Sequence, residues 1–250
     1  MGEAVLREMP RARFKWLRGV TAEDGWVYCI PACAHCVLKV HPATGEVRAL
    51  GTGLWPRGEW LWHGAALARD GNIYCIPANA SRVLKIEPAT ERVSLIGPEL
   101  EVGLGAKWYG GILADDGTVW GVPYNAAAAL RIDPATGEVS QVGAFPRGGW
   151  KWHGGTLGDD GSILGAPSHA RRVLKIQPWD QTCHLVGEGD LEGDCKYGGA
   201  ASDGQGRVWS IPSDTDHALR LDPASGDGGG APFPHPHCGG GAGEGAAEVP

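Results

Sequence analysis

Short apolar runs separated by turn residues recur along the whole chain. Several runs are apolar at consecutive positions, as in residues 26–30 and 119–122, and such strands must be covered on both faces. Asp-Gly, Pro and Asn stand between the runs, where they favour tight turns. No repeat keeps apolar residues at a spacing near 3.6 over ten positions, so the pattern predicts short β-strands and excludes a helical solenoid.

The runs belong to a unit that is repeated five times. An Asp-Gly pair marks each copy, at Gly25, Gly71, Gly117, Gly161 and Gly204, with steps of 46, 46, 44 and 43 residues. Prolines keep the same spacing, at Pro42, Pro88, Pro134, Pro178 and Pro223. Each unit holds four strand-type runs, which is the content of one propeller blade. The predicted fold is an all-β, five-bladed β-propeller of four-stranded blades.

The repeats also set the expected domain boundaries. They lie near residues 13–57, 58–103, 104–147, 148–192 and 193–226, within one propeller domain over residues 1–226. The fifth copy stops without a fourth strand, so we expect residues 2–7 to supply the outer strand of its blade and close the ring. Residues 227–250 are rich in Gly, Pro and Ala and are predicted to be a disordered tail. A fragment of a larger ring is the alternative.

Composition narrows the possible partners. Against 22 Lys and Arg stand 29 Asp and Glu, a formal charge of −7, which disfavours sequence-independent binding of nucleic acid or anionic membrane. The chain has no long apolar run and no signal-like N-terminus, so we expect a soluble, cytoplasmic monomer. Seven cysteines, an odd number, indicate free thiols. Cys29 and Cys75 are expected to be unpaired because facing sheets stack about 10 Å apart.

One rim of the predicted propeller carries the variable loops. Turns after strands one and three lie at one end of a blade, so the loops after strand two and the connections between blades share the other end. Variable loops on a rigid scaffold are the usual place for binding. The first loop class has one equivalent position, occupied by Cys33, Asn79, Asn125, His169 and Asp214. Turn capping is the structural alternative for this position, beside a role in ligand binding.

The connections between blades differ in charge and in aromatic content. Those that enter blades one, two and four contain Arg and Trp, whereas those that enter blades three and five contain acids, namely Glu99, Glu101, Glu188, Asp190, Glu192 and Asp194. Trp and Arg are enriched at binding hot spots. The sequence therefore predicts a binding surface around Arg57, Trp60, Arg147 and Trp150. The alternative is that both Trp pack under their own loops and both Arg are merely solvated.

Two neighbouring repeat positions carry aromatic residues. The first holds Trp16, Trp62, Trp108, Trp152 and, in the fifth copy, Lys196. We interpret these Trp as wedges between blades, with sugar stacking or peptide anchoring as the alternative. The second position, near the axis, holds Leu17, His63, Tyr109, His153 and Tyr197. Its His and Tyr could hold a divalent metal, but satisfied core groups are the commoner outcome, and no cofactor is predicted.

The unit resembles the repeats of known propellers. Asp-Gly-x-Ile-Tyr, Val-Leu-Lys-Ile-Asp-Pro and Thr-Gly-Glu-Val resemble NHL-type, YVTN-type and streptogramin-lyase-like repeats of the WD40-like superfamily, over residues 13–226. Five copies with Trp-rich and Gly-rich loops are also similar to the tachylectin type of sugar-binding propeller. The resemblance implies the fold, but fold resemblance does not carry an activity.

Three functions remain open. The leading one is a non-enzymatic recognition scaffold that binds a protein or a small ligand on one rim; the second is a lectin-like sugar-binding module. The third, a metal-assisted lactonase, lyase or hydrolase, needs a convergent ligand set and a general base, and among the repeated rim positions only Asp214 supplies a carboxylate. The candidate binding residues are Arg57, Trp60, Trp62, His63, Asn79, Trp108, Tyr109, Asn125, Arg147, Trp150, Trp152, His153 and His169.

Overall fold

The computed structural model describes residues 14–56, 58–101, 103, 105–187, 190–226 and 228–232. Blade one contains β1 (Trp16–Thr21), β2 (Val27–Pro31), β3 (Val37–Val40) and β4 (Val47–Leu50). Blade two contains β5 (Trp62–Leu67), β6 (Ile73–Pro77), β7 (Val83–Glu87) and β8 (Arg92–Ile96). Blade three contains β9 (Trp108–Leu113), β10 (Val119–Pro123), β11 (Ala129–Ile132) and β12 (Val139–Val142). Blade four contains β13 (Trp152–Leu157), β14 (Ile163–Pro167), β15 (Val173–Gln177) and β16 (Thr182–Val186). Blade five contains β17 (Tyr197–Ser202), β18 (Val208–Pro212), β19 (His217–Leu221) and β20 (Gly228–Pro232).

Each blade is one antiparallel sheet in which the four strands follow one another in chain order. The Asp-Gly turns are built by their own side chains: in blade one the backbone N–H of Trp26 and the hydroxyl of Tyr28 both donate to the Asp24 carboxylate, at 3.1 and 2.8 Å. Gly25 adopts a φ of 77°, which glycine reaches at no steric cost. The predicted all-β propeller of five four-stranded blades is confirmed.

The core lies between neighbouring blades. The inner strands pack in sequence, β1 on β5, β5 on β9, β9 on β13 and β13 on β17. Tyr28 and Ile30 of blade one are buried together with Ile73 and Cys75 of blade two. Consecutive residues of a second strand thus face two different blades, which explains why these strands are apolar at nearly every position.

The outer strand of blade five differs from the expectation. β20 pairs with β19 over its whole length, so the predicted tail contributes a strand and its boundary at residue 227 is corrected. A Gly-rich strand joins a sheet through its backbone hydrogen bonds alone, and it therefore lacks the apolar residues by which a strand is recognised. Closure by residues 2–7 is not shown, since these residues lie outside the described ones.

The described strands do not form a closed ring. β17 and β1 do not make the inner-strand packing that joins the other blades. Ile211 in β18 is 56% exposed, whereas the equivalent Ile30 and Ile76 are fully buried. Among the described residues, none therefore covers Ile211 on this face of blade five as Ile30 and Ile76 are covered.

Two further expectations concern the cysteines and the membrane. Cys29 and Cys75 are both free thiols, which confirms that they do not pair. Within the residues that the structure describes, no helix is long and apolar enough to cross a membrane.

Candidate functional site

A β-bulge near the start of the inner strands determines how the side chains of the candidate site are placed. In blade two Trp62 pairs with Pro77, and the register then shifts so that Ala65 pairs with Cys75. The shift leaves His63 and Gly64 out of the regular ladder, and such bulges commonly re-aim a side chain. Gly64 has a φ of 106°, and a Cβ there would lie 1.5 Å from the carbonyl oxygen of Gly110. Only glycine allows β5 and β9 to approach this closely.

Close approach of the inner strands brings four rings together, which we call the axial cluster: His63, Tyr109, Tyr124 and His153. The His63 ring stacks on Tyr109 at a centroid distance of 3.9 Å, and Tyr109 stacks on Tyr124 at 4.5 Å. His153 meets Tyr109 edge to face at 4.8 Å. The cluster lies at the propeller end that carries the loops after each second strand and the connections between blades, which we call the loop face.

Tyr124 was not among the residues predicted from the sequence. It directly follows Pro123 at the end of β10, where the other copies have only small residues, namely Ala32, Ala78, Ser168 and Ser213. A single large aromatic residue at a position that is otherwise Ala or Ser is a departure from the repeat, and this departure was the available signal.

Larger aromatic residues extend the axial cluster along the loop face. The Trp60 ring contacts Phe14 at a tilt of 32° and a centroid distance of 4.9 Å, and it stacks on His63 at 6.4 Å. Trp150 lies parallel to Tyr124 at 6.0 Å, and its edge contacts His169 at 5.4 Å. Trp150 is 51% exposed. The predicted residues Trp60, His63, Tyr109, Trp150, His153 and His169 are therefore brought into one aromatic surface.

The backbone that presents these rings is strained. Phe14, Trp60 and Trp150 have φ values of 53°, 52° and 44°, in the left-handed region that bulky residues avoid. Hydrogen bonds hold this conformation: the carbonyl oxygen of Trp60 accepts the N–H of Asn79 at 3.0 Å, and that of Trp150 accepts the N–H of His169 at 3.1 Å. Such strain persists where the surrounding structure enforces it, commonly at functional sites.

The axial cluster carries no negative charge. Burial, helped by the nearby His153 and Arg18, lowers the pKa of His63 to about 4, so its imidazole is neutral at pH 7. Burial raises the pKa of Tyr109 and of Tyr124, so both phenols keep their protons. His153 Nδ1 lies 3.0 Å from the carbonyl oxygen of Gly198. A carbonyl can only accept, so Nδ1 donates in this hydrogen bond.

The tyrosine hydroxyls fall into two groups, those that hydrogen-bond within a turn and those without a partner. Tyr28 and Tyr74 donate to Asp24 and Asp70, each at 2.8 Å. The hydroxyls of Tyr109 and Tyr124 have no hydrogen-bond partner among the described residues. The axial cluster therefore offers two free hydroxyl groups beside two imidazoles.

Three predicted Trp residues lie elsewhere. Trp62, Trp108 and Trp152 are at most 2% exposed. Their indole N–H groups donate to backbone carbonyl oxygens in the loop after the second strand of the same blade, at 2.6 to 2.9 Å, namely those of Arg82, Ala128 and Arg172. These contacts agree with the interpretation as wedges between blades and leave the rings no face for a ligand.

The repeat alignment of blade five is corrected by one residue. Tyr197 pairs with Pro212 as Trp152 pairs with Pro167, so Tyr197, and not Lys196, takes the wedge position. The position equivalent to His63 is then occupied by Gly198. The axial cluster consequently draws its rings from blades two, three and four only.

The predicted Asn residues brace the loops. The side-chain amide of Asn79 donates to the carbonyl oxygen of Glu59 at 2.8 Å. Asn125 is 4% exposed, and its Oδ1 accepts the N–H of Trp150 at 3.0 Å. Both side chains therefore fix loop conformation, which agrees with the capping alternative, and Asn125 fixes the backbone of Trp150 directly.

Charges on the loop face largely pair with one another. Arg147 binds Glu101 at 2.6 Å, and Arg171 binds Asp190 and Glu192. The opposite charges of successive connections thus partly neutralise each other, which reduces the predicted asymmetry of the rim. Arg57, the remaining predicted residue, lies outside the described residues.

Metal binding has no support in the described part of the chain, where no three His, Cys, Asp or Glu side chains are grouped as metal ligands. His169 Nε2 lies 3.8 Å from Asp194 Oδ1 and 4.0 Å from Cys195 Sγ.

Comparison with known proteins places the fold. A family model described as a repeat of unknown function (DUF6923) matches residues 18–166. A catalytically inactive variant of virginiamycin B lyase from Staphylococcus aureus, solved with quinupristin, superposes with a TM-score of 0.73 at 16% identity, over 90% of this chain and 72% of that one. A streptogramin B lyase gives 0.71 at 16% identity, over 89% and 70%. An auxiliary nutrient binding protein from Bacteroides ovatus gives 0.55 at 12% identity, over 86% and 56%. No curated protein matches the sequence significantly.

The resemblance to streptogramin-lyase-like propellers is confirmed at the level of the fold. Identities of 12 to 16% among these structures carry no activity across to this chain.

Proposed function

Because the chain belongs to the family described as a repeat of unknown function (DUF6923), its role has to be inferred from its own residues, and we propose that it is a non-enzymatic recognition scaffold. Its site is the axial cluster on the loop face, and its ligand is a small molecule with a planar part. The observation that carries this proposal is the three-ring stack of His63, Tyr109 and Tyr124, with centroid distances of 3.9 and 4.5 Å.

The two ends of the stack, Tyr124 and His63, have ring faces that a planar ligand can contact, whereas Tyr109 lies between them with both faces covered. Aromatic faces contribute about 0.5–1.5 kcal/mol per stacked pair beyond the burial of area. The free hydroxyls of Tyr109 and Tyr124 and Nε2 of His153 supply polar contacts at the edge of a bound ring. A few polar groups in a mostly apolar site are typical of small-molecule binding.

The scaffold limits the cost of binding. His63, Tyr109 and His153 stand on inner strands that pack directly against each other, and the backbone of Trp150 is fixed by Asn125. A site that is already ordered loses little conformational entropy when a ligand binds.

A second candidate ligand is a sugar, as in the lectin-like alternative. The half-exposed face of Trp150 favours it, because the apolar face of a sugar ring can pack on an exposed indole. In this case binding depends on Trp150 more than on Tyr124.

The test replaces Tyr124, whose ring is absent from the equivalent position of the other copies. Tyr124→Ala introduces the residue found at this position in copies one and two, so the fold tolerates it. The matched control is Trp179→Ala, on the opposite rim, where Trp179 is 55% exposed and the other copies have Ala43, Ala89, Ala135 and Ala224. A panel of planar aromatic compounds and monosaccharides is screened by thermal shift, and affinities are measured by calorimetry.

We expect a planar compound whose affinity falls about tenfold in Tyr124→Ala, equivalent to roughly 1.4 kcal/mol, and stays unchanged in Trp179→Ala. Binding that is equal in both variants and the parent would place the ligand elsewhere. Sugar binding that is lost in Trp150→Ala but not in Tyr124→Ala would favour the lectin-like function. A panel in which no compound binds the parent would refute both.

A further inference from the structure

Two residues that differ from the repeat meet on the loop face between blades four and five. Sγ of Cys195 lies 4.0 Å from Nε2 of His169. Cys195 stands at the position that holds an aromatic residue in three other copies, namely Phe14, Trp60 and Trp150. His169 is the only histidine at its repeat position, where the other copies have Cys33, Asn79, Asn125 and Asp214. The two departures from the repeat together form a thiol–imidazole pair.

The backbone of blade five holds Cys195 in place. Its φ is 47°, and its carbonyl oxygen accepts the N–H of Asp214 at 3.2 Å, as that of Trp150 accepts the N–H of His169 in blade four. Cys195 is partly exposed, whereas Cys75 is buried. The thiol is therefore fixed at a place that a small reagent can reach.

The surroundings of the His169 ring allow Nε2 to take up a proton. Nδ1 lies 3.4 Å from the hydroxyl oxygen of Ser168, and the carboxylate oxygen Oδ1 of Asp194 lies 3.8 Å from Nε2. In the neutral ring whose Nδ1 carries the proton, Nδ1 donates to the hydroxyl and Nε2 can accept from the Cys195 thiol. The negative charge of Asp194 then favours the imidazolium that forms when Nε2 takes up this proton.

The Cys195 thiol needs such a base in order to react. Burial, with the nearby Asp214 and Asp194, raises the pKa of this thiol, so it keeps its proton at pH 7. The thiolate, and not the thiol, is the nucleophile. An adjacent imidazole that removes the proton is a common way to activate a cysteine. Cys195 and His169 therefore supply a nucleophile and its base.

We propose that Cys195 is a covalent modification site for α,β-unsaturated carbonyl compounds, with His169 as the base. The thiol proton passes to Nε2 while the sulfur forms a bond to the β-carbon of the compound. The C=C π bond breaks, and its electron pair forms an enolate. The imidazolium then returns the proton to the α-carbon, which leaves a thioether and a neutral His169.

An addition of this kind uses the pair fully, because the base first takes up the proton and then returns it to the product. The reaction needs no oxidant and releases no leaving group. The inference goes beyond the proposed function and does not depend on it, because the thiol of Cys195 reacts and no ring of the axial cluster takes part.

The test measures how fast acrylamide modifies each cysteine of the full chain at pH 7.5, by mass spectrometry of its peptides. Cys33 is the internal reference, because it is also partly exposed and its thiol has no hydrogen-bond partner among the described residues. We expect Cys195 to react at least about tenfold faster than Cys33. His169→Asn, which introduces the residue of copies two and three, should remove most of this advantage.

A pH series distinguishes a base from a merely structural residue. As the pH is raised toward 10, thiolates form without a base, so the rates at Cys195 in the parent and in His169→Asn should converge. A ratio of these rates that stays constant over the series would mean that His169 only positions the thiol, and would refute its role as the base.

Two further outcomes would overturn the proposal. Equal rates at Cys195 and Cys33 in the parent would show that Cys195 is not activated. An unchanged rate at Cys195 in His169→Asn would show that the imidazole takes no part. Thermal unfolding checks that the variant is folded, and His169→Gln provides the same comparison if His169→Asn is not.

Discussion

The cost of shortening one isoleucine should differ sharply between two blades, because the described residues bury this isoleucine in only one of them. Ile76 in β6 is fully buried between blades two and three, where it packs with Trp108 and Leu130. Ile211 occupies the same position in β18 but is 56% exposed. The same substitution, Ile→Ala, at both sites therefore measures whether the outer face of blade five is covered in solution.

The magnitudes follow from burial. Ile→Ala removes three carbon atoms, worth about 2.4 kcal/mol of transfer free energy when fully buried, at about 0.8 kcal/mol for each group. The cavity left at Ile76 raises the loss in unfolding free energy to about 2–5 kcal/mol. At Ile211 less than half of the side chain is buried, and solvent fills the space, so we expect a loss of about 1 kcal/mol.

The assay is urea unfolding followed by tryptophan fluorescence, with circular dichroism as a second probe to check that both report one transition. Equal losses at Ile76 and Ile211 would contradict the open arrangement of the blades. Gel filtration would then distinguish a ring closed within one chain from a face covered by a second copy.

Two further predictions concern the axial cluster and its support. His63 has a pKa of about 4 in the folded protein and about 6.5 when unfolded. Only the unfolded chain takes up this proton between these values, so stability should fall as the pH is lowered from 6.5 to 4, by at most about 3 kcal/mol. In His63→Leu, which introduces the residue of copy one at this position, the urea midpoint should depend less on pH between 6.5 and 4 than in the parent. An equally strong dependence on pH would mean that His63 is not buried as described. At Trp150, with a φ of 44°, Trp150→Gly should be more stable than Trp150→Ala by about 1 kcal/mol, the reverse of the usual order. An alanine variant at least as stable as the glycine variant in the same assay would show that this backbone is not strained.

Most of the fold could be predicted because two independent features of the repeat indicate it, namely the turn residues and the apolar strands. Asp24 with Gly25 closes a turn in the first copy, and its equivalents do so at the same spacing in the others. The outer strand of blade five could not be predicted, because residues 228–232 join the sheet by backbone hydrogen bonds and contain no apolar pattern.

The candidate site could be predicted only in part, for a geometric reason. The sequence shows that His63, Tyr109 and His153 share a repeat position, but the centroid distances depend on how closely the inner strands approach at Gly64 and Gly110. The pairing of Arg147 with Glu101 joins two different connections. The relative position of these two connections depends on the curvature of the propeller, which cannot be predicted from the sequence of either connection.

Residues that differ from the repeat in one copy indicate a function when several of them lie close together in the structure. A residue that recurs in every copy is explained by the neighbours that recur with it, whereas a residue unique to one copy is not required by the shared fold. Trp179 is such a residue, but it stands on the opposite rim, away from the axial cluster. Tyr124 is equally unique, and together with His63 and His153 it brings side chains from three blades to the loop-face end of the axis. Conformational demands within one blade do not require this convergence, which supports the proposed ligand-binding role of the axial cluster.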